Sequence, residues 1–215
     1  MPGKAAVGFL HAGEGSRVAT DAALARAGYT KEVAHLVDPA LVDARAETFP
    51  IDERRYAAML ARARELRERA ERIVLSCSVY NGVAADLGED LGIPVERGDA
   101  AAVRRLVGTQ GTVGILVSFP PTRPVVVDYV AEVLAQAEEQ REIYASVADD
   151  APPFATAPDV YRAALLAALQ PLHACGVLLV AQYTMNEHLD ALRAAWGPRP
   201  SFSALESVAL ELAAA

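Results

Sequence analysis

Cys77 is the residue of this sequence whose type and position are best suited to chemistry. It follows a short apolar run at 72–76 that is predicted to form a strand, and it precedes a polar turn that begins at Ser78. In α/β folds, ligands bind at the carboxyl ends of the strands. A thiolate placed there can act as a base or a nucleophile, and a helix N-terminus, with Asn81 as the candidate N-cap, can lower the thiol pKa from about 8.5. The sequence therefore predicts that Cys77 is catalytic.

A second strand-to-turn junction occurs in the other half of the chain, and it carries Gln182 where the first junction carries Cys77. The two residues are 105 positions apart (182 − 77), and Val7 and Val113, which begin two similar apolar runs, are 106 apart (113 − 7). Offsets this similar are what an internal duplication would leave, although short apolar runs also recur by chance. An amide cannot exchange a proton at physiological pH, so Gln182 can only orient or hydrogen-bond a ligand. A cleft between the halves would hold one thiol.

Three further residues stand beside these junctions or at the end of a predicted strand. His11 ends the first strand, where its imidazole could shuttle protons at the mouth of a cleft or simply bond to nearby backbone. Tyr183 follows Gln182, and its hydroxyl could enter the cleft or pack between the halves. Cys175 precedes Gly176 at the opposite end of its strand, which favours a buried role over a catalytic one.

The elements that must position these residues follow an alternating pattern. Strands are predicted at 5–10, 32–36, 73–76, 93–95, 112–119, 142–147 and 177–181, and helices at 17–27, 52–72, 99–107, 125–140, 159–172 and 184–195. Strands flanked by helices favour parallel pairing, with both faces of the sheet covered. The fold class is therefore predicted to be α/β, with the ligand at the carboxyl ends of the strands.

Composition restricts the class of partner. The chain has 215 residues and a net charge of −8, with acidic and basic residues interspersed. This charge disfavours nucleic acids and anionic membranes and favours small molecules as partners. No apolar run approaches the length of about 18 residues that a membrane span needs, and the start of the chain does not look like a secretion signal, so a cytoplasmic protein is expected. The two cysteines give neither a disulfide framework nor metal-ligand spacing.

Four stretches, taken in order, resemble the aspartate/glutamate racemase superfamily of cofactor-independent enzymes, which includes amino-acid and hydantoin racemases, maleate isomerase and arylmalonate decarboxylase. The stretches are 73–78, 113–122, 177–185 and 203–207. The resemblance implies two pseudo-symmetric lobes, each a parallel sheet flanked by helices, with a cleft between them. The first lobe would comprise residues 1–106 and 200–215 and the second 107–199, because the last helix of the family returns to the first lobe. Two copies of a fold of this size often pair, so a homo-oligomer is an open alternative.

The chemistry implied by the resemblance needs neither PLP nor a metal. A proton is removed or delivered beside a carboxylate, or a thiolate attacks such a substrate. By this resemblance Cys77 is the single cleft thiol, while Gln182 replaces the second thiol of the family. A small carboxylated substrate is expected to contact the turn at Ser78 and Val79, the hydroxyls of Ser118 and Thr122, and the side chains of His11, Gln182 and Tyr183. Three functions stay open: a racemase or isomerase with one thiol, a one-cysteine decarboxylase, and a binding protein without turnover.

Overall fold

Two four-stranded parallel sheets form the framework of the protein. The computed structural model describes residues 3–41, 51–149, 151 and 157–215. The first sheet has the order β2-β1-β3-β4 and the second the order β6-β5-β7-β8. The strands are β1 (Val7–His11), β2 (Val33–Val37), β3 (Ile73–Leu75), β4 (Val95–Arg97), β5 (Val113–Val117), β6 (Ile143–Val147), β7 (Val177–Val180) and β8 (Ser201–Ser203). The predicted α/β class and the predicted pair of similar lobes are both confirmed.

Helices cover the sheets between successive strands. They are α1 (Glu14–Ala27), α2 (Glu53–Arg67), α3 (Ala84–Leu91), α4 (Ala100–Arg104), α5 (Thr122–Gln136), α6 (Pro158–Leu169), α7 (Leu189–Trp196) and α8 (Ala204–Ala214). Asp52 caps α2 by accepting a hydrogen bond from the backbone N–H of Arg55. Gly28 ends α1 in the left-handed conformation, at φ 78°, which glycine adopts without steric cost. None of the helices in the described ranges combines the length and apolar character needed to cross a bilayer.

The central strands are apolar because both of their faces are covered. All five residues of β1 are buried, and so are all five of β5. Strands buried on both faces lack the apolar and polar alternation of half-exposed strands, which is the pattern expected for parallel sheets. The same burial explains why these strands could be predicted from short apolar runs.

The two lobes meet at the turns that follow β3 and β7. Each turn is a six-residue 3₁₀ helix, Ser78–Val83 in the first lobe and Tyr183–His188 in the second. The first packs against α5 and the second against α1. Each turn therefore contacts the first helix of the opposite lobe, so residues that end β3 and β7 face the boundary between the lobes.

The end of the chain connects both lobes. β8 pairs with β7 in the second sheet, and α8 then packs against α1 and α4 of the first lobe. Leu205, Val208 and Leu212 of α8 share an apolar cluster with Val7 and Phe9 of β1. The lobe limits 1–106 plus 200–215 and 107–199 stay a prediction.

Besides shifts of a few residues in the bounds of several elements, three features differ from the sequence-based expectation. β8 was not predicted, since three residues with only one apolar side chain carry no periodic signal. The predicted helix at 184–195 is divided into the 3₁₀ helix Tyr183–His188 and α7. Asn81 lies inside a 3₁₀ helix and does not cap it; Cys77 occupies the N-cap position instead.

Candidate active site

Cys77 lies at the boundary between the lobes, directly after β3 and Ser76. It occupies the N-cap position of the helix Ser78–Val83, with extended backbone at φ −97° and ψ 109°. The residue keeps some exposure, but burial of the thiol raises its pKa to about 11. The nearby backbone N–H of Val79 lowers this pKa by a smaller amount. The expectation of a lowered pKa is wrong for the free protein, because a short 3₁₀ helix does not offset the loss of solvent. Cys77 therefore carries its proton at neutral pH.

This pKa has a direct consequence for thiol reactivity. Only the thiolate is alkylated, and its fraction at pH 7 is about 10⁻⁴ for a pKa about four units higher. We expect the rate of Cys77 alkylation by iodoacetamide to rise about tenfold per pH unit between pH 7 and 10. The rate is to be followed by mass spectrometry in a Cys175→Ala background, which leaves one thiol in the chain. A rate that reaches a plateau at or below pH 8.5 would contradict this assignment.

A chain of polar side chains joins the turn after Cys77 to Gln182 in the other lobe. The Ser78 hydroxyl lies 3.3 Å from the Thr122 hydroxyl, and the Gln182 Nε2 group donates to Thr122 Oγ1 at 3.5 Å. Ser78 and Thr122 are buried. The Gln182 Oε1 atom accepts hydrogen bonds from the Ser118 backbone N–H at 2.5 Å and the Ser118 hydroxyl at 3.1 Å. Four of the sequence-predicted site residues therefore form one network across the lobe boundary.

The network extends to a tyrosine that sequence reasoning did not identify. The Tyr161 hydroxyl lies 2.8 Å from the Ser118 hydroxyl and 3.2 Å from the Thr184 hydroxyl. Tyr161 is buried, and burial raises its pKa. It belongs to the apolar face of α6, so its sequence position is that of a core residue and gives no sign of a polar contact.

Two roles were open for Tyr183, a hydroxyl in the cleft and packing between the lobes, and in the structure Tyr183 packs between the lobes. It is buried, and its hydroxyl donates to the Gly98 carbonyl of the first lobe at 3.3 Å. The Gly98 backbone N–H in turn donates to Asn81 Oδ1 at 3.1 Å. Burial raises the pKa of Tyr183 far above its ordinary range. Its substrate contact stays a prediction, and its hydroxyl is engaged in joining the lobes.

Arg97, at the end of β4, forms a second connection between the lobes. Its guanidinium bonds both carboxylate oxygens of the fully buried Asp99, at 2.9 and 3.1 Å. It also donates to the Val125 carbonyl of α5 at 3.2 Å and lies 3.6 Å above the centroid of the Tyr129 ring. A buried charge pair with additional hydrogen bonds holds a defined geometry. The segment 97–99 thus fixes the position of α5 relative to β3.

The sequence suggested that His11 stands at the mouth of a cleft, but the structure places it in the interior of the first lobe. It is fully buried, and its ring nitrogens lie within hydrogen-bonding distance of side chains of His35, Ser76 and Ser16. Burial, and then the nearby His35 and Arg17, lower the pKa of His11 to about 3. The imidazole is therefore neutral across the physiological range. Its contact with substrate stays a prediction.

Two cavities of the protein lie away from Cys77. One, of about 500 Å³, is at the amino end of the second sheet and is lined by residues 109–112 and 139–142. The other, of about 110 Å³, lies between α1, α7 and α8. Neither of these two cavities includes a residue of the network that contains Ser78, Thr122 and Gln182. The site is therefore identified by the chemistry of its residues.

Proteins of known structure share this fold. A glutamate racemase isoform from Bacillus anthracis has a TM-score of 0.77 and 16% identity, with 98% of this chain and 80% of its own length covered. Allantoin racemase from Klebsiella pneumoniae has a TM-score of 0.63 and 17% identity, with 98% and 87% covered. A mutant of arylmalonate decarboxylase in a sulfate-associated form has a TM-score of 0.64 and 13% identity, with 97% and 93% covered.

Sequence comparison adds no nearer relative. No protein-family model and no curated protein matches the chain. At identities of 13–17% the structural similarity establishes a common two-lobed architecture. Folds of one architecture host different reactions, so the reaction has to be argued from the site itself.

Proposed function

We propose that the chain is a cofactor-independent carbon-acid enzyme of the aspartate/glutamate racemase superfamily, in which Cys77 is the single thiol acting on a small carboxylate. The observation that carries the proposal is the position of this thiol. Cys77 follows β3 and Ser76 at the lobe boundary, near the backbone N–H of Val79. It directly precedes Ser78, whose hydroxyl begins the network that leads through Thr122 to Gln182. The racemases and the decarboxylase that share the fold support the same class of chemistry.

The polar network has the donors that a carboxylate substrate needs. Ser78, Thr122 and Ser118 supply hydroxyls, and the turn after Cys77 supplies backbone N–H groups. Such groups, fixed before the reaction, stabilise negative charge that develops as an enediolate. The Gln182 Oε1 atom is occupied by Ser118, which orients the Nε2 group toward Thr122 and the first lobe. In this proposal Gln182 is a ligand-orienting residue without a proton to exchange.

The proposed reaction exchanges a proton on one face of the carbon. The bond between the α-carbon and its hydrogen breaks, the proton passes to the sulfur of the minor thiolate form of Cys77, and the electron pair is delocalised into the carboxylate. Return of a proton from the same sulfur restores the original configuration. Inversion would need an acid on the opposite face, which the Gln182 amide cannot supply.

A decarboxylase is the second candidate, and the raised pKa of Cys77 favours it. Loss of CO₂ breaks a carbon–carbon bond and leaves a carbanion, which takes up the proton of the thiol. Water then returns a proton to the thiolate. This sequence begins from the protonated thiol, which is the form present at neutral pH when the pKa is about 11.

Incubation in D₂O tests the proposal. We use a panel of both enantiomers of glutamate and aspartate, allantoin and phenylmalonate, with NMR and optical rotation as readouts. One-face exchange predicts deuterium at the α-carbon with retained configuration, and decarboxylation predicts CO₂ release from phenylmalonate. Absence of both, with Cys77 still protected from alkylation by a panel acid, would contradict turnover and identify a binding protein.

The Gln182→Cys variant tests the role assigned to Gln182. A thiol at this position would place a proton donor on the second face, so we expect optical activity to be lost where the wild-type protein only exchanges deuterium. A double variant, Cys77→Ser with Gln182→Cys, is the matched control, because it keeps the new thiol and removes the original one. Exchange with retained configuration in Gln182→Cys would show that position 182 does not face the reacting carbon.

A further inference from the structure

Tyr161 begins a chain of hydrogen bonds that runs through the second lobe toward the first. Its hydroxyl lies 2.8 Å from the Ser118 hydroxyl, which lies 3.1 Å from Gln182 Oε1. Gln182 Nε2 donates to Thr122 Oγ1 at 3.5 Å, and this oxygen lies 3.3 Å from the Ser78 hydroxyl of the first lobe. Tyr161 is buried, whereas Ser118 and Gln182 keep partial exposure. The chain thus connects a buried phenol with the lobe boundary.

The chemistry of the partners fixes the direction of the bonds from Tyr161 to Thr122. The Ser118 backbone N–H donates to Gln182 Oε1 at 2.5 Å, so the amide oxygen faces Ser118 and the Nε2 group faces Thr122. An amide oxygen only accepts, so the single hydroxyl hydrogen of Ser118 is used in its bond to Gln182. Tyr161 is therefore the donor to Ser118, and burial, which raises its pKa, keeps its proton in place.

The end of the chain at the lobe boundary holds donors without acceptors. Gln182 Nε2 carries two hydrogens, and Thr122 is the one acceptor for them in the part of the chain that the structure describes. Ser78 and Thr122 have two hydroxyl hydrogens, of which one makes their mutual bond and the other meets no acceptor among the described residues. An unpaired donor costs free energy that the acceptor atom of a ligand restores. Charge-assisted bonds are about twice as strong as neutral ones, so this end suits a carboxylate.

The first lobe shows that the fold does not require this chain. Equivalent backbone bonds follow β3 and β7, from the Ser76 N–H to the Leu10 carbonyl and from the Ala181 N–H to the Leu116 carbonyl. By this register Ala12 and Cys77 are the first-lobe counterparts of Ser118 and Gln182, and an alanine cannot extend a hydrogen-bonded chain. Partly buried polar groups cost desolvation free energy that apolar residues avoid, so their presence in the second lobe indicates a function.

We propose that Tyr161 is a positioning residue for the substrate: its hydroxyl commits the Ser118 hydrogen to Gln182 Oε1 and so holds the Gln182 Nε2 group as a donor to a carboxylate. The inference rests on the proposed function and adds a residue that acts through others without touching the substrate. It also divides the work between the lobes, since the first supplies the Cys77 thiol and the second contributes neutral donors that orient the substrate.

Loss of the Tyr161 hydroxyl frees the hydroxyl of Ser118 to rotate. The Gln182 amide is then held by the Ser118 backbone N–H alone, and it binds a carboxylate less well because its orientation is less defined. The carboxylate is charged both before and during the reaction, so the lost interaction belongs to the ground state and the transition state alike. Such a loss raises KM and leaves kcat unchanged.

Tyr161→Phe tests this role, because it keeps the buried ring and removes the hydroxyl. We expect KM for glutamate, aspartate or phenylmalonate, whichever the wild-type protein turns over, to rise about 3- to 10-fold, the scale of one hydrogen bond. The kcat of exchange or CO₂ release should change less than twofold. Ser118→Ala, a second variant at a partly exposed position, breaks the same chain and should raise KM at least as much. For an acid that binds without turnover, Kd from isothermal titration calorimetry replaces KM.

A double-mutant cycle with Gln182→Ala separates positioning from a general structural effect. If Tyr161 acts through Gln182, then Tyr161→Phe raises KM no further in the Gln182→Ala background. Tyr56→Phe is the matched control, because the Tyr56 hydroxyl also donates a hydrogen bond, to Asp90 at 2.8 Å, and lies outside the chain. Its KM and kcat should equal those of the wild-type protein.

Three results would overturn the role of Tyr161 and leave the proposed function in place. The first is an unchanged KM in Tyr161→Phe, and the second is a loss confined to kcat. The third is an equal rise of KM with and without the Gln182 side chain, which would mean that Tyr161 acts by another route. Absence of both turnover and binding of the three acids by the wild-type protein would instead remove the proposed function and the inference together.

Discussion

Replacing Cys77 with serine is expected to reduce α-proton exchange by about 10²- to 10⁴-fold, the contribution of a positioned acid or base. A serine hydroxyl is a far weaker acid than a thiol and does not form an alkoxide at accessible pH. The smaller oxygen fits the N-cap position near the Val79 N–H, so the fold should be unaffected. Deuterium incorporation by NMR measures the loss.

The control for this substitution is Cys175→Ala. Cys175 is buried at the amino end of β7, the opposite end of the sheet from Gln182, and its backbone carbonyl accepts from Arg199. Exchange in this variant should equal that of the wild-type protein, even if the melting temperature falls. Full exchange in Cys77→Ser would remove the thiol from the mechanism and with it the proposed function.

Gly98→Ala is expected to destabilise the protein by about 3 kcal/mol, the upper end of the usual range for overpacking a core. An added Cβ would lie 2.3 Å from the Leu75 carbonyl oxygen and 3.0 Å from the Tyr183 hydroxyl. The Leu75 backbone cannot retreat easily, because it is paired with β1 on one side and β4 on the other. Tyr183 is buried and its hydroxyl bonds to Gly98 itself. Equilibrium urea unfolding gives the change in free energy.

This substitution should also reduce exchange, since a shift of Leu75 moves Cys77 and a shift of Tyr183 moves Gln182. Gly82→Ala is the matched control. Gly82 is exposed in the helix Ser78–Val83, and an added Cβ there meets nothing within 4 Å. Its unfolding free energy should change by less than about 1 kcal/mol, and in the stabilising direction if the unfolded chain loses flexibility. Equal stabilities of the two variants would show that the contact at Gly98 relaxes freely.

Particular residues show what a sequence can reveal about this fold. β1, β5 and β7 are continuous apolar runs because both faces are buried, so their existence could be read directly. Cys77 and Gln182 were located by the same logic, since a polar residue after such a run must lie at the carboxyl edge of the sheet. β8 was not predicted, because an edge strand of three residues contributes little to the core and leaves no apolar run in the sequence.

The properties of the site depend on contacts between distant segments and could not be predicted in this way. The pKa of Cys77 is set by how completely the packing around the thiol excludes water, and residue type alone suggested the reverse shift. His11 was identified by its strand end, but its partners His35, Ser16 and Ser76 come from three other segments of the chain. Tyr161 lies on the buried face of α6, so its sequence position predicts only a core residue and not the contact between its hydroxyl and that of Ser118.

The position of α8 has a consequence for biosynthesis. Leu205, Val208 and Leu212 cover β1 and α1, which leave the ribosome long before α8 is made. Domains usually fold in the order in which they are synthesised. Here β1 and α1 keep an apolar surface uncovered until α8 has also been translated, so the nascent protein is expected to need protection from aggregation until that helix has emerged.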